Sequence, residues 1–404
     1  MSSPRVSVVV AAYNHAAFVR ECIESVQAQT FTDWELVVTD DGSHDGTADI
    51  LRELAASDRR IRFHGFAVNQ GACIAVNDAI ARARGEFIAV LNSDDRWRAD
   101  KLALQVAFLE RHPECGAVFA KPRLIDERGA PFTDAGHKDY LIFEEANRSR
   151  QAWLDHFFHA GNCLCHPSVL IRRSCYDHVG CYDPRLAQLP DLDMWVRLCA
   201  HYEIHILDAQ LVDFRILDGE RNASAARPEV LAREPWERLQ VLRHYLSEGL
   251  DGHVSPLPHP AQPPDEPSSR LRLAWTALAI GTPAHRALAL EILHRALAPG
   301  EPVAAGAPEL SAYLRLTGET DIFWQRHVGI CHQLQRDVET LQDVVARQRA
   351  ELASVNQALD LSQSRHASAE AALRDIQSSR SWTMTAPLRW LMRRVNGLRR
   401  KGRE

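Results

Sequence analysis

Glu35-Leu36-Val37-Val38 runs straight into Thr39-Asp40-Asp41-Gly42-Ser43, and Phe87-Ile88-Ala89-Val90-Leu91 runs into Asn92-Ser93-Asp94-Asp95. Short apolar runs of this kind read as buried parallel strands, and each of these ends on a pair of aspartates. In open α/β sheets, ligands sit just beyond the carboxyl ends of the strands. Four carboxylates gathered at two such ends repel one another unless something positive lies among them. A divalent cation carrying a phosphorylated ligand meets that need. The residues alone therefore point to metal-assisted nucleotide chemistry.

Working outward, residues 6–10 form a β-branched strand that ends at Ala11-Ala12-Tyr13-Asn14. Phe18, Cys22, Ile23 and Val26 then fall at helical spacing, as do Ile50, Leu51 and Leu54 after the second strand. A short strand at 61–63, the turn Asn69-Gln70-Gly71 and a helix over 72–83 lead to the strand at 87–91. Strand–helix alternation with such short connections means βαβ units and a mainly parallel sheet. A helix follows at 100–111 and a strand at 117–120, and then 121–160 reads as polar and irregular. Asp191-Leu192-Asp193-Met194-Trp195 opens a helix, and strands at 204–207 and 211–214 close this domain near residue 225.

With 404 residues, the chain is too long for one core. Apolar content of 46% and charged content of 25% fit a soluble globular protein. The net charge of −6 argues against bulk nucleic-acid binding, so no nucleic-acid partner is expected. No signal-like start and no run of about eighteen apolar residues is present, which places the expected location in the cytoplasm. The cysteines lack a CxxC pair and read as buried thiols.

Taken in order, Val8-Val9-Val10-Ala11-Ala12-Tyr13-Asn14, Asp40-Asp41-Gly42-Ser43, Asn69-Gln70-Gly71, Gly85-Glu86-Phe87-Ile88 and Asn92-Ser93-Asp94-Asp95 resemble the family 2 glycosyltransferases of the GT-A fold. The likeness covers residues 4–225. It implies an α/β fold with a Rossmann-like, mainly parallel sheet. The implied activity is transfer of a sugar from a nucleotide-diphosphate donor, UDP- or dTDP-linked, to a glycan or lipid-linked acceptor hydroxyl. By the same resemblance Ala11, Tyr13 and Asp40 line the nucleobase pocket. Asp94 lies towards the ribose, and Asp95 lies on a Mn²⁺ or Mg²⁺ ion that bridges the diphosphate. Pro190-Asp191-Leu192-Asp193-Met194-Trp195 is similar to the family's acidic pair ahead of an aromatic-bearing helix. It implies Asp191 as the base of an inverting transfer, with Asp193 holding the loop and His166 near the acceptor. Two positions depart from the pattern. Pro190 replaces an acidic residue, and Leu217 stands where many relatives carry a histidine, leaving Arg215 or Arg221 to neutralise the phosphates.

Beyond 225 the composition changes. Residues 226–322 read as helical, with a proline-rich linker at 251–269. Over 326–380, Leu334, Leu341, Val355, Ala369 and Ile376 alternate with Val338, Val345, Leu352, Leu359 and Leu373 at spacings of four and three. That is a coiled-coil pattern, with lapses at Gln348, Ser362 and His366. It implies self-association; a long helix packed back on its own chain is the alternative. The tail, 381–404, puts Leu388, Leu391 and Met392 on one face amid many arginines. Such a helix fits an anionic membrane surface or a solvated terminus. The tail is also similar to those of bacterial polysaccharide-assembly transferases, so the pathway expected is surface polysaccharide or O-antigen assembly. A non-catalytic scaffold with a degenerate transferase domain is the competing reading, supported by Pro190 and Leu217. A nucleotidyltransferase is set aside, because Ala12-Tyr13-Asn14-His15 is no glycine-rich basic loop.

Overall fold

The computed structural model describes residues 3–137, 140–217, 227–247, 249–299, 304–321 and 325–401. The chain divides into two compact units, Met1–Ile322 and Phe323–Glu404.

The first unit opens with strand–helix alternation: β1 (Val6–Ala12), α1 (Val19–Gln27), β2 (Trp34–Asp40), α2 (Thr47–Ser57), β3 (Ile61–Gly65), α3 (Ala72–Arg82) and β4 (Phe87–Asn92). Then come β5 (Arg96–Trp97), α4 (Lys101–Arg111), β6 (Cys115–Ile125), α5 (Arg150–His159), β7 (Leu170–Arg172), α6 (Arg173–Val179), α7 (Pro190–Cys199) and β8 (Glu203–Arg215). The strands form one eight-stranded sheet in the order β3-β2-β1-β4-β7-β6-β8-β5. Strands β3, β2, β1 and β4 run parallel, β7 runs against both its neighbours, and β8 runs parallel to β6. This is the mainly parallel, Rossmann-like sheet that the strand–helix alternation predicts.

Alternation along the strands explains the layering. Val9, Val37, Ile88 and Val90 join one apolar cluster, while Val8, Val10, Leu36, Val38, Ala89 and Leu91 join the other. Successive side chains of a strand point to opposite faces, so a continuous apolar run needs cover on both sides. Helices α1, α2 and α4 cover one face through Ile23, Leu51 and Leu102, and α3, α5 and α7 cover the other through Ala79, Phe157 and Trp195.

Three local features differ from the sequence reading. The stretch 121–160 contains α5, whose Trp153, Leu154, Phe157 and Phe158 are all buried. The two strands expected over 204–214 are one strand, β8, whose Asp208-Ala209 interruption is taken up at a register shift opposite Ala120 and Lys121. The two-residue β5 and the short α6 have too little length to show a period.

Helices α8 (Pro228–Leu242), α9 (Ser269–Ile280), α10 (Pro283–Ala296) and α11 (Leu310–Glu319) follow. Leu239, Leu242, Leu271, Trp275, Leu288, Ile292 and Leu316 belong to the same cluster as Val9, Phe119 and Trp195. The first unit therefore continues to Ile322 rather than ending near 225. Trp275 is 1% exposed and donates its indole N–H to Gly306 O at 3.1 Å; emptying a site of that size costs about 3–5 kcal/mol. A chain ending at residue 225 is accordingly expected to aggregate or to melt more than about 10 °C lower, whereas one ending at 322 keeps the melting temperature of its α/β unit. An undiminished melt of the shorter chain would show that the helices add nothing to the core.

In the second unit, α12 (Gln325–Ser378) is one continuous helix of 54 residues, followed by α13 (Arg380–Met384) and α14 (Ala386–Lys401). Leu334, Val338, Leu341, Val345, Leu352, Val355, Leu359, Leu373 and Ile376 along α12 are all exposed. Among the described residues no helix is long and apolar enough to cross a membrane.

Candidate active site

Strands β1, β2 and β4 end on one edge of the sheet. The register sets Ala12 beside Asp40 and Ala11 beside Asn92, so Ala11, Asp40 and the start of the Asn92-Ser93-Asp94-Asp95 turn share a row. Tyr13 follows and is 41% exposed. Asn14 has a left-handed backbone, φ 51°; its N–H donates to Ser43 Oγ and its Oδ1 accepts from His44 N, both at 2.9 Å. His15 lies 2.7 Å from Ser93 Oγ through Nδ1. The loops after β1, β2 and β4 are thus tied to one another.

Asp40 and Asp41 turn to different tasks. The Asp40 carboxylate accepts from Ser43 Oγ at 2.5 Å and Ser43 N at 3.0 Å, which closes the turn. Asp41 accepts from Gln70 N at 2.6 Å and Gly71 N at 2.9 Å, which anchors the Asn69-Gln70-Gly71 turn ahead of α3. Gly42 between them has φ 73°, and a Cβ there would come within 2.6 Å of the Val68 carbonyl carbon. The close approach of these two loops needs glycine.

The second pair is also asymmetric. Asp95 is 2% exposed; its Oδ1 accepts from Arg215 N at 2.7 Å and its Oδ2 from Asn92 Nδ2 at 3.0 Å. Asp94 is partly buried and takes its own backbone N–H, with the His15 ring nearby. Burial raises the pKa of both groups, and the neighbouring Asp94 charge adds to the rise for Asp95. The pair thus has two hard oxygen donors whose charge is under-compensated. Among the described residues no set of three or more ligating side chains gathers. A cation held here would take its remaining oxygens from a ligand or water, the usual habit of Mg²⁺.

Arg215 does not point at this opening. It is 2% exposed, and its guanidinium donates to Asp94 O, Asp126 O and Glu127 O and pairs with Glu21 at 2.7 Å. It supports the Asp94-Asp95 backbone from behind, which corrects the expectation that it neutralises phosphates. Leu217 is buried, and Arg221 lies outside the described residues.

Asp191 sits in the first turn of α7, next to Pro190 in the position that favours proline. Its Oδ1 accepts from Leu192 N at 2.7 Å and its Oδ2 from Asn162 Nδ2 at 2.6 Å. Burial pushes its pKa up to about 6 against the pull of those hydrogen bonds. Asp193 is 4% exposed and pairs with Arg197 at 2.6 Å and His244 Nε2 at 2.7 Å. These are the contacts of a brace. His166 meets the Tyr182 hydroxyl at 3.0 Å, and burial pushes its pKa down to about 4, so it is neutral at neutral pH. Its neighbour Cys165 feels the Asp95 charge, and Tyr182 feels that of Asp191. Asn162, His15 and Glu237 were not singled out in the sequence, since none stands in a spacing that marks it.

Residues 7–173 match the family model for Glycosyl transferase family 2. TuaG of Bacillus subtilis, named as a glycosyltransferase of teichuronic acid biosynthesis, is 35% identical over 248 residues, covering 59% of this chain and 91% of that protein. EpsE of the same organism, named as a glycosyltransferase, is 30% identical over 203 residues, covering 48% of this chain and 67% of that protein. Among solved structures, S. aureus TarS 1-349 in complex with UDP aligns with a TM-score of 0.45 at 19% identity, covering 70% of this chain and 83% of that one.

Proposed function

The chain belongs to glycosyltransferase family 2, and from that premise we propose that it is an inverting, cation-dependent transferase of surface-polysaccharide assembly. It takes a UDP- or dTDP-linked sugar as donor and a glycan or lipid-linked hydroxyl as acceptor. Asp191 carries this reading. A carboxylate held by Asn162 and Leu192, with its pKa pushed up to about 6, is mostly ionised near pH 7 and still basic enough to take a hydroxyl proton. In this reading Asp191 removes the acceptor proton as the hydroxyl attacks the anomeric carbon, on the side opposite the leaving diphosphate. Ala11, Tyr13 and Asp40 line the base pocket, Asp40 through lone pairs that Ser43 leaves open. Asp94 faces the ribose, and Asp95, with Asp94 beside it, would hold a Mn²⁺ or Mg²⁺ ion. That ion would act as a Lewis acid on the departing diphosphate. Asp193 and His166 keep the Asp191 turn in place through Arg197, His244 and Tyr182.

A thermal-shift panel tests the donor assignment. UDP-glucose, UDP-N-acetylglucosamine, dTDP-rhamnose and GDP-mannose are each added with Mn²⁺. A shift with a uridine or thymidine donor that disappears on chelation is expected. No shift with any of them would overturn the reading.

The same proposal extends to the second unit. The exposed stripe on α12 repeats at coiled-coil spacing, which supports pairing with a second copy of the chain. Leu388, Leu391 and Met392 on α14 are exposed beside Arg389, Arg393 and Arg394, which supports peripheral contact with an anionic membrane. A chain ending at residue 322 is expected to run as a monomer in light scattering where the full chain is an oligomer. It is also expected to stop sedimenting with phosphatidylglycerol vesicles. Unchanged mass would remove the coiled-coil assignment, and unchanged sedimentation the membrane one.

A further inference from the structure

Glu237 lies on α8, beyond the residues that match the family model, and is 1% exposed. Its carboxylate accepts three successive backbone N–H groups. Ala187 N reaches one oxygen at 2.8 Å, and Gln188 N and Leu189 N reach the other at 2.7 and 2.9 Å. Hydrogen bonds to an ionised acceptor are roughly twice as strong as neutral ones, and these three amides have no strand or helix to pair with. They are also the last backbone donors before Asp191, because Pro190 has no N–H. Leu189 O in turn accepts the α7 bond from Asp193 N at 3.0 Å, and Asp193 is tied to His244 behind α8. The turn that carries Asp191 is therefore gripped on both sides by the helical region.

We propose that Glu237 is a positioning residue for sugar transfer, whose three-amide grip on residues 187–189 sets where the Asp191 carboxylate meets the acceptor hydroxyl. This rests on the reading of Asp191 as the base. It gives the helical region a part in the reaction beyond covering the core, through a carboxylate that works on the backbone ahead of Asp191. The groups around Asp191 leave Glu237 as the acidic residue that holds its loop. Cys73 of α3 and Tyr182 face Asp191 as neutral partners, Asp193 pairs with Arg197 and meets His244 Nε2, and Asp183 pairs with Arg185.

The test compares Glu237→Gln, Glu237→Asp and Asp191→Asn in the full chain. Turnover is read as nucleotide release from whichever donor shifts most in the panel, and binding as the Kd for UDP with Mn²⁺. For Glu237→Gln we expect amide exchange at 187–189 to rise at least about 10-fold. Its kcat should fall ~10–100-fold, with the UDP Kd within about two-fold of wild type. The acid limb of its kcat profile should move below pH 6, because a loosened turn lets water reach Asp191. Glu237→Asp, which keeps the charge, should recover part of the rate, and it decides the matter if the glutamine variant does not fold. Wild-type kcat and an unmoved acid limb in Glu237→Gln, beside an inactive Asp191→Asn, would overturn the positioning role alone. A parallel loss of UDP binding and melting temperature with the limb unmoved would overturn it too, as merely structural. An active Asp191→Asn would instead overturn the base assignment beneath it.

Discussion

Asp191→Asn is expected to lower transfer by about 10²–10⁴-fold while nucleotide binding stays within about two-fold. The amide keeps the shape of the carboxylate but cannot take a proton. Its hydrogen bonds are with Asn162 and Leu192, neither of them in the row formed by Ala11, Asp40 and the Asp94-Asp95 turn, so the loss falls on kcat rather than on donor KM. The wild-type kcat profile should carry an acid limb near pH 6, where burial has pushed the Asp191 pKa, and the variant's profile should lose it. Stability supplies a second readout with a definite sign. A carboxyl whose pKa is higher folded than unfolded binds its proton more tightly in the native state. The native state is thus progressively penalised as pH rises from about 4 to about 6, by ~3 kcal/mol at most. Asparagine carries no such penalty. The melting temperature of the variant relative to wild type should therefore climb between pH 4.5 and pH 7.5. Full turnover in Asp191→Asn would remove this residue from the mechanism, whatever the melts show.

The half of the fold that could be read from the sequence is the half whose strands are covered on both faces. Residues 8–10, 36–38 and 87–91 are apolar without interruption because β1, β2 and β4 lie between two helical layers. The aspartates follow the carboxyl ends of β2 and β4, where ligands of such sheets sit. Past β4 the sheet becomes mixed, and the signal weakens. Strand β8 holds polar residues at a bulge, and the α5 pattern of Trp153, Leu154, Phe157 and Phe158 is too short to stand out from a polar stretch. Composition marked the change near 225 but did not reveal that the following helices share the core, since apolar helical spacing says nothing about which surface it meets. The site divides along the same line. Residues in local motifs, such as Asp40 and Asp95, were legible. Those that act through partners far away in the chain were not. Arg215 looked like a cation for phosphates, yet it is spent on carbonyls and Glu21 behind the acidic turn. Glu237 looked like one more charged helical residue until its three backbone partners were seen.

Asp95→Asn should reduce Mn²⁺-promoted UDP binding at least about 100-fold and abolish transfer, with the melting temperature in chelator unchanged or higher. The expectation about stability distinguishes a ligand from a structural carboxylate. Asp95 accepts from Arg215 N and Asn92 Nδ2; asparagine keeps the first bond through its own carbonyl, and the Asn92 amide can turn over to accept the second. What the substitution removes is one of two adjacent, poorly solvated negative charges, a repulsion that weakens the cation-free protein. Were Asp95 merely a brace for β8, exchanging its charge-assisted bond to Arg215 N for a neutral one would cost about 1 kcal/mol, with Mn²⁺ making no difference. In the wild type, UDP with Mn²⁺ at about 100 times Kd should add ~2.7 kcal/mol of stability. In Asp95→Asn that increment should vanish, while the apo melt holds. Melts of both proteins with UDP, with and without Mn²⁺, separate the cases. A preserved Mn²⁺-dependent shift in the variant would take Asp95 out of the cation site, and a lowered apo melt with the shift intact would make it the brace.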